Sequence, residues 1–145
     1  MRLTHRTLRH DTGDTVDLID LTPELRRLVQ EQGITEGLLT VTSRHTTTAI
    51  TINENESRLL DDLKDFYRRL APPEAPYRHN DIHLRDCPPD EPENAHAHLL
   101  AMVTGSSEVV AIVDGDLDLG RWQSVFLVEL DGPRERTVSV QVIGE

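Results

Sequence analysis

The sequence predicts one α+β domain over residues 1–145, built as a largely antiparallel β-sheet or sandwich with a few helices. Segments with strand character lie at both ends of the chain, and segments with helical spacing lie between them. We find no repeat and no linker that divides the 145 residues. At this length one domain buries roughly two thirds of the surface of its unfolded chain.

The N-terminal part predicts a hairpin followed by a helix. Residues 1–20 are interpreted as two strands joined by a turn at Asp11–Asp14. Thr22 is the expected N-cap of the helix, followed by Pro23 at the first helical position and an acidic residue in the first turn. Gly33 is expected to end this helix.

The next part predicts two strands and an amphipathic helix. Gly37–Ser43 alternates between apolar and polar residues, and the run from Arg44 to Ile52 is rich in threonine and isoleucine, which favour extended structure. Asn53 followed three residues later by Glu56 is typical of a capping box at a helix start, and for Asn53 this is the plain alternative to a functional role. The apolar residues that follow at helical spacing are Leu59, Leu60, Leu63, Phe66, Tyr67 and Leu70.

Residues 71–93 contain six of the eight prolines and predict a long connection, of a length that is usually functional or disordered. The C-terminal part then predicts a helix over Ala95–Thr104, capped by Asn94, and three strands. These strands are Glu108–Val113, Arg121–Leu130 and a final strand marked by Val138, Val140 and Val142.

Charge and composition exclude several classes of protein. A formal net charge of −11 repels phosphate backbones, and aromatic residues make up only 3%, so nucleic acid is not an expected partner. No apolar run approaches the ~20 residues needed to span a bilayer, and the N-terminus lacks the apolar core of a signal peptide, so we expect a cytoplasmic protein with no membrane partner. The single Cys87 excludes an internal disulfide and a multi-cysteine zinc site.

Histidines are the first candidates for chemistry. His45 lies in the β-branched run, His79 in the proline-rich connection, and His96 and His98 in the short helix. Neutral imidazole is the commonest metal ligand, and three histidines with one open position are typical of catalytic zinc. Residues two apart on a helix point to opposite sides, so only one of His96 and His98 is expected to reach a shared site.

Two glutamates and two threonines are further candidates. Glu129 interrupts an apolar strand face, so it either needs a buried partner or lies at a strand end facing water. Glu54 lies where a strand is expected to change into a helix, a position where the helix dipole alone also favours an acid. Thr46 and Thr47 carry hydroxyls that a ligand can use, although a threonine run is also explained by β propensity.

Several blocks together resemble a known family. In chain order they are His45-Thr46-Thr47, Ile52-Asn53-Glu54-Asn55, Tyr77-Arg78-His79, Glu93-Asn94-Ala95-His96-Ala97-His98, Gly105-Ser106-Ser107, Asp114-Gly115 and Leu119-Gly120-Arg121-Trp122-Gln123 with Glu129. This order is similar to that of the YjbQ-like family, also called the secondary thiamine-phosphate synthase family. The likeness spans the chain from about Gly37 to the C-terminus.

The resemblance implies a homotrimer with a metal-binding pocket at or near a subunit boundary. By position, it implies metal ligation by His45, His79 and His98, with zinc as the expected metal and magnesium as the alternative. The polar and aromatic positions that it implies around the pocket are Asn53, Glu54, Trp122, Gln123 and Glu129. The chain departs from the family pattern at Arg121, where a threonine is expected, and at Thr48, where a small apolar residue is usual.

The activity implied by the resemblance joins a pyrimidine diphosphate to a thiazole phosphate with loss of pyrophosphate. Departure of pyrophosphate leaves a pyrimidinylmethyl cation that the thiazole nitrogen captures, so the site must stabilise the charge of the leaving group. We expect Arg121, Glu54 and Gln123 to act in catalysis, and a small phosphorylated molecule to be the substrate. The alternative is a non-catalytic homotrimer that binds a metal or an anion.

Overall fold

The computed structural model describes all 145 residues and contains two antiparallel β-sheets and three α-helices, which confirms the α+β class. The strands are β1 (Arg2–Asp11), β2 (Asp17–Asp20), β3 (Gly37–Ser43), β4 (Thr48–Asn53), β5 (Ser107–Val113), β6 (Asp116–Leu117), β7 (Ser124–Glu129) and β8 (Glu135–Gly144). The helices are α1 (Thr22–Gln32), α2 (Ser57–Leu70) and α3 (Ala95–Thr104).

The strands form a five-stranded sheet in the order β1-β8-β3-β5-β6 and a three-stranded sheet in the order β2-β7-β4. The predicted N-terminal hairpin is wrong, because β1 pairs with β8 and β2 pairs with β7. The segment between them crosses from one sheet to the other instead of turning back. Backbone hydrogen bonds hold this crossing to a distant turn, from Thr12 N to Arg134 O and from Gly132 N to Thr15 O. Turn residues at 11–14 cannot reveal that long-range pairing.

Two apolar cores arrange the layers. The first lies between the sheets and is closed by α1, with Leu25, Leu39, Ile50 and Val140 among its members. The second lies on the other face of the small sheet, where α2 and α3 cover it. The strand β7 is buried on both faces, because Leu127 belongs to the first core and Phe126 to the second. Successive side chains of β7 thus enter different cores.

Strand β7 is shorter than its predicted range, Arg121–Leu130. It begins at Ser124, and residues 121–123 form a turn instead. The turn is closed by the backbone N–H of Gln123, which donates to Gly120 O at 2.9 Å, and by Gln123 Oε1, which accepts from Gly120 N at 2.8 Å. The side chains of residues 121–123 are exposed.

The sequence predicts the C-terminal end of α1 correctly, but it misplaces the N-caps of α1 and α2. Gly33 ends α1 in the left-handed conformation, as predicted, but the N-cap of α1 is Leu21 rather than Thr22. The N-cap of α2 is Glu56, whose carboxylate accepts from the N–H groups of Arg58 and Leu59, the second and third residues of the helix. Asn53 therefore does not cap α2. It is the last residue of β4, and the N-cap lies three residues later than the capping box predicts.

The connection over residues 71–93 has two short 3₁₀ turns, Arg78–Asn80 and Ile82–Leu84, and the predicted helix over Ala95–Thr104 is confirmed as α3. Asn80 fastens the connection to this helix, since its Oδ1 accepts from Ala95 N at 3.1 Å.

No helix has the length and apolar character that crossing a membrane requires.

Gly37 tests the packing of the central strands. A Cβ atom at this position lies 2.1 Å from the carbonyl oxygen of Ile143 on β8, so Gly37→Ala must separate β3 from β8. We expect a loss of about 1–3 kcal/mol in the free energy of unfolding, measured by urea denaturation. Gly13→Ala is the matched control, because nothing lies within 4 Å of the added atom. Equal stability of the two variants would contradict the register described here.

Candidate functional site

A polar cavity of about 450 Å³ lies between the loop that joins β3 to β4, the start of α3 and the turn before β8. No apolar residue lines it. The lining residues are Arg44, His45, Thr46, Thr47, Glu91, Pro92, Asn94, His98, Asp131, Arg134 and Arg136. Three arginines line it beside two carboxylates, in a chain whose net charge is −11. A cavity of this kind suits a small anionic ligand.

The base of the cavity is a buried ion pair that joins the two sheets. Glu129 ends β7 and is 0% exposed, and Arg136 on β8 is 3% exposed. Arg136 donates from Nε and Nη2 to the two carboxylate oxygens at 2.8 and 2.5 Å, a bidentate arrangement. Its Nη2 also donates to Thr47 Oγ1 at 2.9 Å, and Thr12 Oγ1 donates to Glu129 Oε1 at 2.6 Å. Glu129 is therefore a paired buried carboxylate, the first of its two sequence interpretations.

The hydrogen bonds decide the ionisation of Glu129. Burial alone raises the pKa of this carboxyl group, but donors from Arg136, Thr12 and the Asp131 backbone outweigh burial and hold the pKa below its usual range. Gly132 packs directly on the pair, since a Cβ atom there lies 2.8 Å from Glu129 Cγ. The turn after β7 has no room for a larger residue at this position.

The turn that follows β7 places an arginine and an aspartate at the cavity wall. Arg134 donates to the Asp131 carbonyl and to Asp131 Oδ2, each at 2.9 Å. Asn94, just before α3, donates to the same Oδ2 at 2.7 Å, while its own Oδ1 is buried without a partner. These contacts fix the turn against α3, and the guanidinium of Arg134 stays partly exposed on the cavity side.

His45 lies on the loop that joins β3 to β4. Its ring nitrogen Nε2 accepts from the backbone N–H of Thr137 at 2.9 Å. Burial lowers the pKa of His45, and so do the charges of Arg136, Arg44 and Arg134, although Glu129 opposes them. The imidazole is accordingly neutral at neutral pH.

His98 lines the cavity and pairs with His79 from the proline-rich connection. Their rings meet edge to face with centroids 4.8 Å apart. Burial lowers the pKa of His98, and the neighbouring His79 lowers it further. His96 points elsewhere, is buried and has an unpartnered Nδ1, while His83 lines a separate cavity beside Cys87. The structure thus places His98, not His96, at the cavity.

The structure separates the predicted site residues into two groups. His45, Thr46, Thr47, His98 and Glu129 lie at the end of β7, and His79 lies beside them. The other group lies at the start of β7, about 17 Å away along a six-residue strand. This group consists of Asn53, Glu54, Arg121, Trp122 and Gln123. Within one chain, these two groups do not form a single pocket.

The second group forms an exposed end of the molecule. Asn53 on β4 pairs with Ser124 on β7, which places both beside the 121–123 turn. Trp122 is 64% exposed, and the Arg121 guanidinium lies 4.8 Å from the centre of its ring. This cation–π contact is with a neighbouring side chain, so Arg121 does not reach the cavity of its own chain.

Sequence reasoning missed seven lining residues of the cavity: Arg44, Glu91, Pro92, Asn94, Asp131, Arg134 and Arg136. One signal was available. The run Asp131-Gly132-Pro133-Arg134-Glu135-Arg136 follows directly after the glutamate that interrupts the apolar face, and two arginines there supply the partner that a buried carboxylate needs.

The predicted three-histidine metal site is incomplete within one chain. No group of three or more His, Cys, Asp or Glu side chains is close enough to hold a metal ion. His79 and His98 suit a metal by donor type, because both are imidazoles without a hydrogen bond in the chain. The Nε2 lone pair of His45 is occupied by Thr137 N–H, so this ring does not fit as a third ligand.

The comparisons with known proteins agree with the fold. Residues 6–145 match the family described as UPF0047 protein YjbQ-like. The chain is 44% identical to a UPF0047 protein of Methanothermobacter thermautotrophicus, over 92% of this chain and 87% of the relative. It is 36% identical to the UPF0047 protein YugU of Bacillus subtilis, over 96% and 98% of the two chains.

Solved structures are similar over the whole chain. A YbjQ-like protein of unknown function from Sulfolobus solfataricus P2 superposes with a TM-score of 0.89 and 34% identity, covering 99% of each chain. A hypothetical protein from Aeropyrum pernix K1 superposes with a TM-score of 0.86 and 38% identity, covering 100% of each chain.

Glu129→Gln tests the buried ion pair. The variant leaves Arg136 as an uncompensated buried charge, so we expect a loss of about 3–5 kcal/mol in the free energy of unfolding at neutral pH. Because the folded pKa of Glu129 lies below the unfolded value, its ionisation stabilises the wild type above about pH 4.3. That contribution is lost as the pH falls through the folded pKa, so the difference between variant and wild type shrinks in acid.

Glu135→Gln is the control for this measurement. Glu135 pairs with Arg9 at the surface, where both side chains are more than half exposed, so little change is expected. A Glu129→Gln protein as stable as Glu135→Gln in urea denaturation at pH 7 would contradict the role given to the pair.

Proposed function

The chain belongs to the UPF0047 family of YjbQ-like proteins, and on that basis we propose that its arginine-lined cavity binds a small phosphorylated substrate for an enzymatic reaction. The candidate reaction is thiamine-phosphate synthesis, in which a pyrimidine diphosphate and a thiazole phosphate are joined with release of pyrophosphate. It follows from the resemblance described above, and it need not be the main activity of the protein.

One observation carries the proposal. Three arginines, two histidines and a threonine hydroxyl converge on one cavity in a chain with a net charge of −11. Arginine is suited to phosphate, because its planar guanidinium donates in a fixed fork. Arg136 is committed to Glu129, whereas Arg134 has an exposed face and Arg44 has no ion pair in the chain. The free donors of Arg44 and Arg134 are therefore the ones we assign to the ligand.

The reaction requires stabilisation of charge on the departing pyrophosphate more than it requires a strong base. The arginines supply positive charge at fixed positions, and the buried ion pair keeps the base of the cavity rigid. We propose that Arg44 and Arg134 bind the leaving group. Thr46 and Thr47 lie on the same wall, where the hydroxyl of Thr46 is exposed and that of Thr47 already accepts from Arg136.

We further propose that His79 and His98 hold a divalent metal, with zinc favoured by the imidazole donors and magnesium as the alternative for a diphosphate. Such a metal supplies additional positive charge for the departing pyrophosphate. The lowered pKa of His98 keeps its ring unprotonated, which metal binding requires.

Assembly as a homotrimer is the second part of the proposal. The α2 and α3 helices expose a group of apolar side chains, which supports burial against another copy. They are Phe66, Leu70, Leu99, Met102 and Val103. In a cyclic trimer the exposed end that carries Glu54, Arg121, Trp122 and Gln123 is available to the cavity of a neighbouring copy. That arrangement gives these residues a role that one chain alone does not.

A non-catalytic trimer that binds a metal or an anion is the alternative function. The observation that favours it is the separation of the expected catalytic residues from the cavity. Both functions use the same cavity, so a binding measurement alone does not distinguish them, whereas turnover does.

Turnover of the pyrimidine diphosphate and the thiazole phosphate tests the enzymatic proposal. We expect product from the zinc-loaded protein, with His98→Ala and Arg134→Gln each reduced about tenfold or more by loss of one contact to the charged ligand. Arg9→Gln is the control, because Arg9 pairs with Glu135 at the surface and does not line the cavity. Equal product from the wild type and all variants would indicate background and favour the alternative function.

Subunit mixing tests the trimer. His98 and Arg121 lie in different groups, and each variant alone, His98→Ala or Arg121→Ala, is expected to lose about tenfold or more of its turnover. When they are unfolded and refolded together, roughly a quarter of the cavities in random trimers combine a native His98 with a native Arg121 of a neighbour. Partial recovery of turnover is the expected result. Light scattering that shows a monomer at micromolar concentration would contradict the assembly.

A further inference from the structure

The ring of His45 is held by a contact that decides which of its nitrogens carries the proton. The backbone N–H of Thr137, at the start of β8, points at Nε2 with a distance of 2.9 Å. A backbone N–H only donates, so Nε2 must be the acceptor and carries no proton. In the neutral imidazole the proton therefore lies on Nδ1.

The loop that carries His45 is fastened on both sides. Ser43 Oγ donates to the His45 carbonyl at 3.1 Å and accepts from the His45 N–H at 3.2 Å. Two residues later, the Thr47 carbonyl accepts from Leu130 N at 3.2 Å, which joins the loop to the end of β7. The backbone around His45 is thus fixed relative to β8, and the ring cannot turn away from Thr137 without breaking its hydrogen bond.

The other ring nitrogen faces a different environment. Nδ1 has no hydrogen-bond partner in the chain, and it is not among the buried unpartnered side-chain atoms. His45 lines the cavity together with Arg44, Arg134 and Arg136. A free N–H group on a ring that lines this cavity is placed to donate to an acceptor that the ligand brings.

A metal ion needs a lone pair, and neither nitrogen of His45 offers one. The lone pair of Nε2 is engaged by Thr137 N–H, and Nδ1 carries the proton. Ligation through Nε2 would displace Thr137 N–H from its acceptor. Ligation through Nδ1 would require either a second deprotonation of the ring or a shift of the proton to Nε2, where it would face Thr137 N–H. The rings of His79 and His98 have neither restriction, since they contact each other and make no hydrogen bond in the chain.

We propose that His45 is a ligand-positioning residue that donates from Nδ1–H to an oxygen of the bound phosphate, and that it is not a metal ligand. The cavity then has an oxyanion side formed by His45, Arg44 and Arg134, and an imidazole side formed by His79 and His98. This division rests on the proposed binding of a phosphorylated ligand. A neutral donor orients one phosphate oxygen without adding a further positive charge beside Arg136.

The tautomer is measured directly by long-range ¹H–¹⁵N correlation spectra of the ¹⁵N-labelled wild-type protein at neutral pH, with the His45 signals assigned by their loss in His45→Gln. We expect Nε2 to give the chemical shift of an unprotonated ring nitrogen and Nδ1 that of a protonated one. A protonated Nε2 in the neutral ring would overturn the proposal whatever the protein binds.

Binding of two separate probes tests the division of the cavity. The probes are pyrophosphate alone and Zn²⁺ alone, each measured by titration calorimetry. His45→Gln keeps an acceptor for Thr137 N–H but removes the donor at Nδ1, so we expect pyrophosphate affinity to fall about tenfold with Zn²⁺ affinity within twofold of wild type. His98→Ala is expected to lower Zn²⁺ affinity. His45→Asn, whose amide reaches the Nδ1 position, is expected to restore part of the pyrophosphate affinity.

His5→Gln is the matched control, since His5 lies on β1 and contacts Ser139 at 2.9 Å away from the cavity. A fall in Zn²⁺ affinity for His45→Gln as large as that for His98→Ala would overturn this inference but not the proposed function. A wild-type protein that binds no pyrophosphate would overturn the proposed function as well, while the NMR spectra would still report the tautomer. These two failures are therefore distinguishable.

Discussion

The buried ion pair between Glu129 and Arg136 is the interaction on which the cavity depends. It joins the end of the central strand of the small sheet to the first residues of the C-terminal strand in the large sheet. Burying two charges is expensive, and this pair offsets the cost with bidentate geometry and two threonine hydroxyls. A hydrophobic pair of the same volume could also join the sheets. It would not place a guanidinium at the base of a ligand cavity.

The pair also brings together segments that are distant in the sequence. Thr12 comes from the crossing between the sheets, Thr47 from the loop that carries His45, and Arg134 from the turn after β7. The loop and the turn contribute walls of the cavity, and all three segments are fastened to the same carboxylate or to a neighbour of it. The rigidity of the cavity therefore comes from the scaffold, as preorganised binding sites require.

The distribution of charge separates this cavity from the rest of the surface. The acidic chain repels extended polyanions, yet three arginines, Arg44, Arg134 and Arg136, line one cavity. A small anion responds to the local field, and a nucleic acid must also approach the acidic surroundings. This contrast is the physical reason for favouring a small phosphorylated ligand.

The sequence by itself determined the α+β class and the three helices within a few residues, and it left Glu129 with two interpretations, a buried carboxylate with a partner or a strand end facing water. Each follows from local periodicity or from the cost of an unpaired charge. Only the tertiary structure decided that β1 and β2 belong to different sheets, and that Arg136 is the partner of Glu129. It also decided that Arg121 and Trp122 lie at the opposite end of β7 from His45. Strand pairing between distant segments sets these relations, and local sequence carries no record of it.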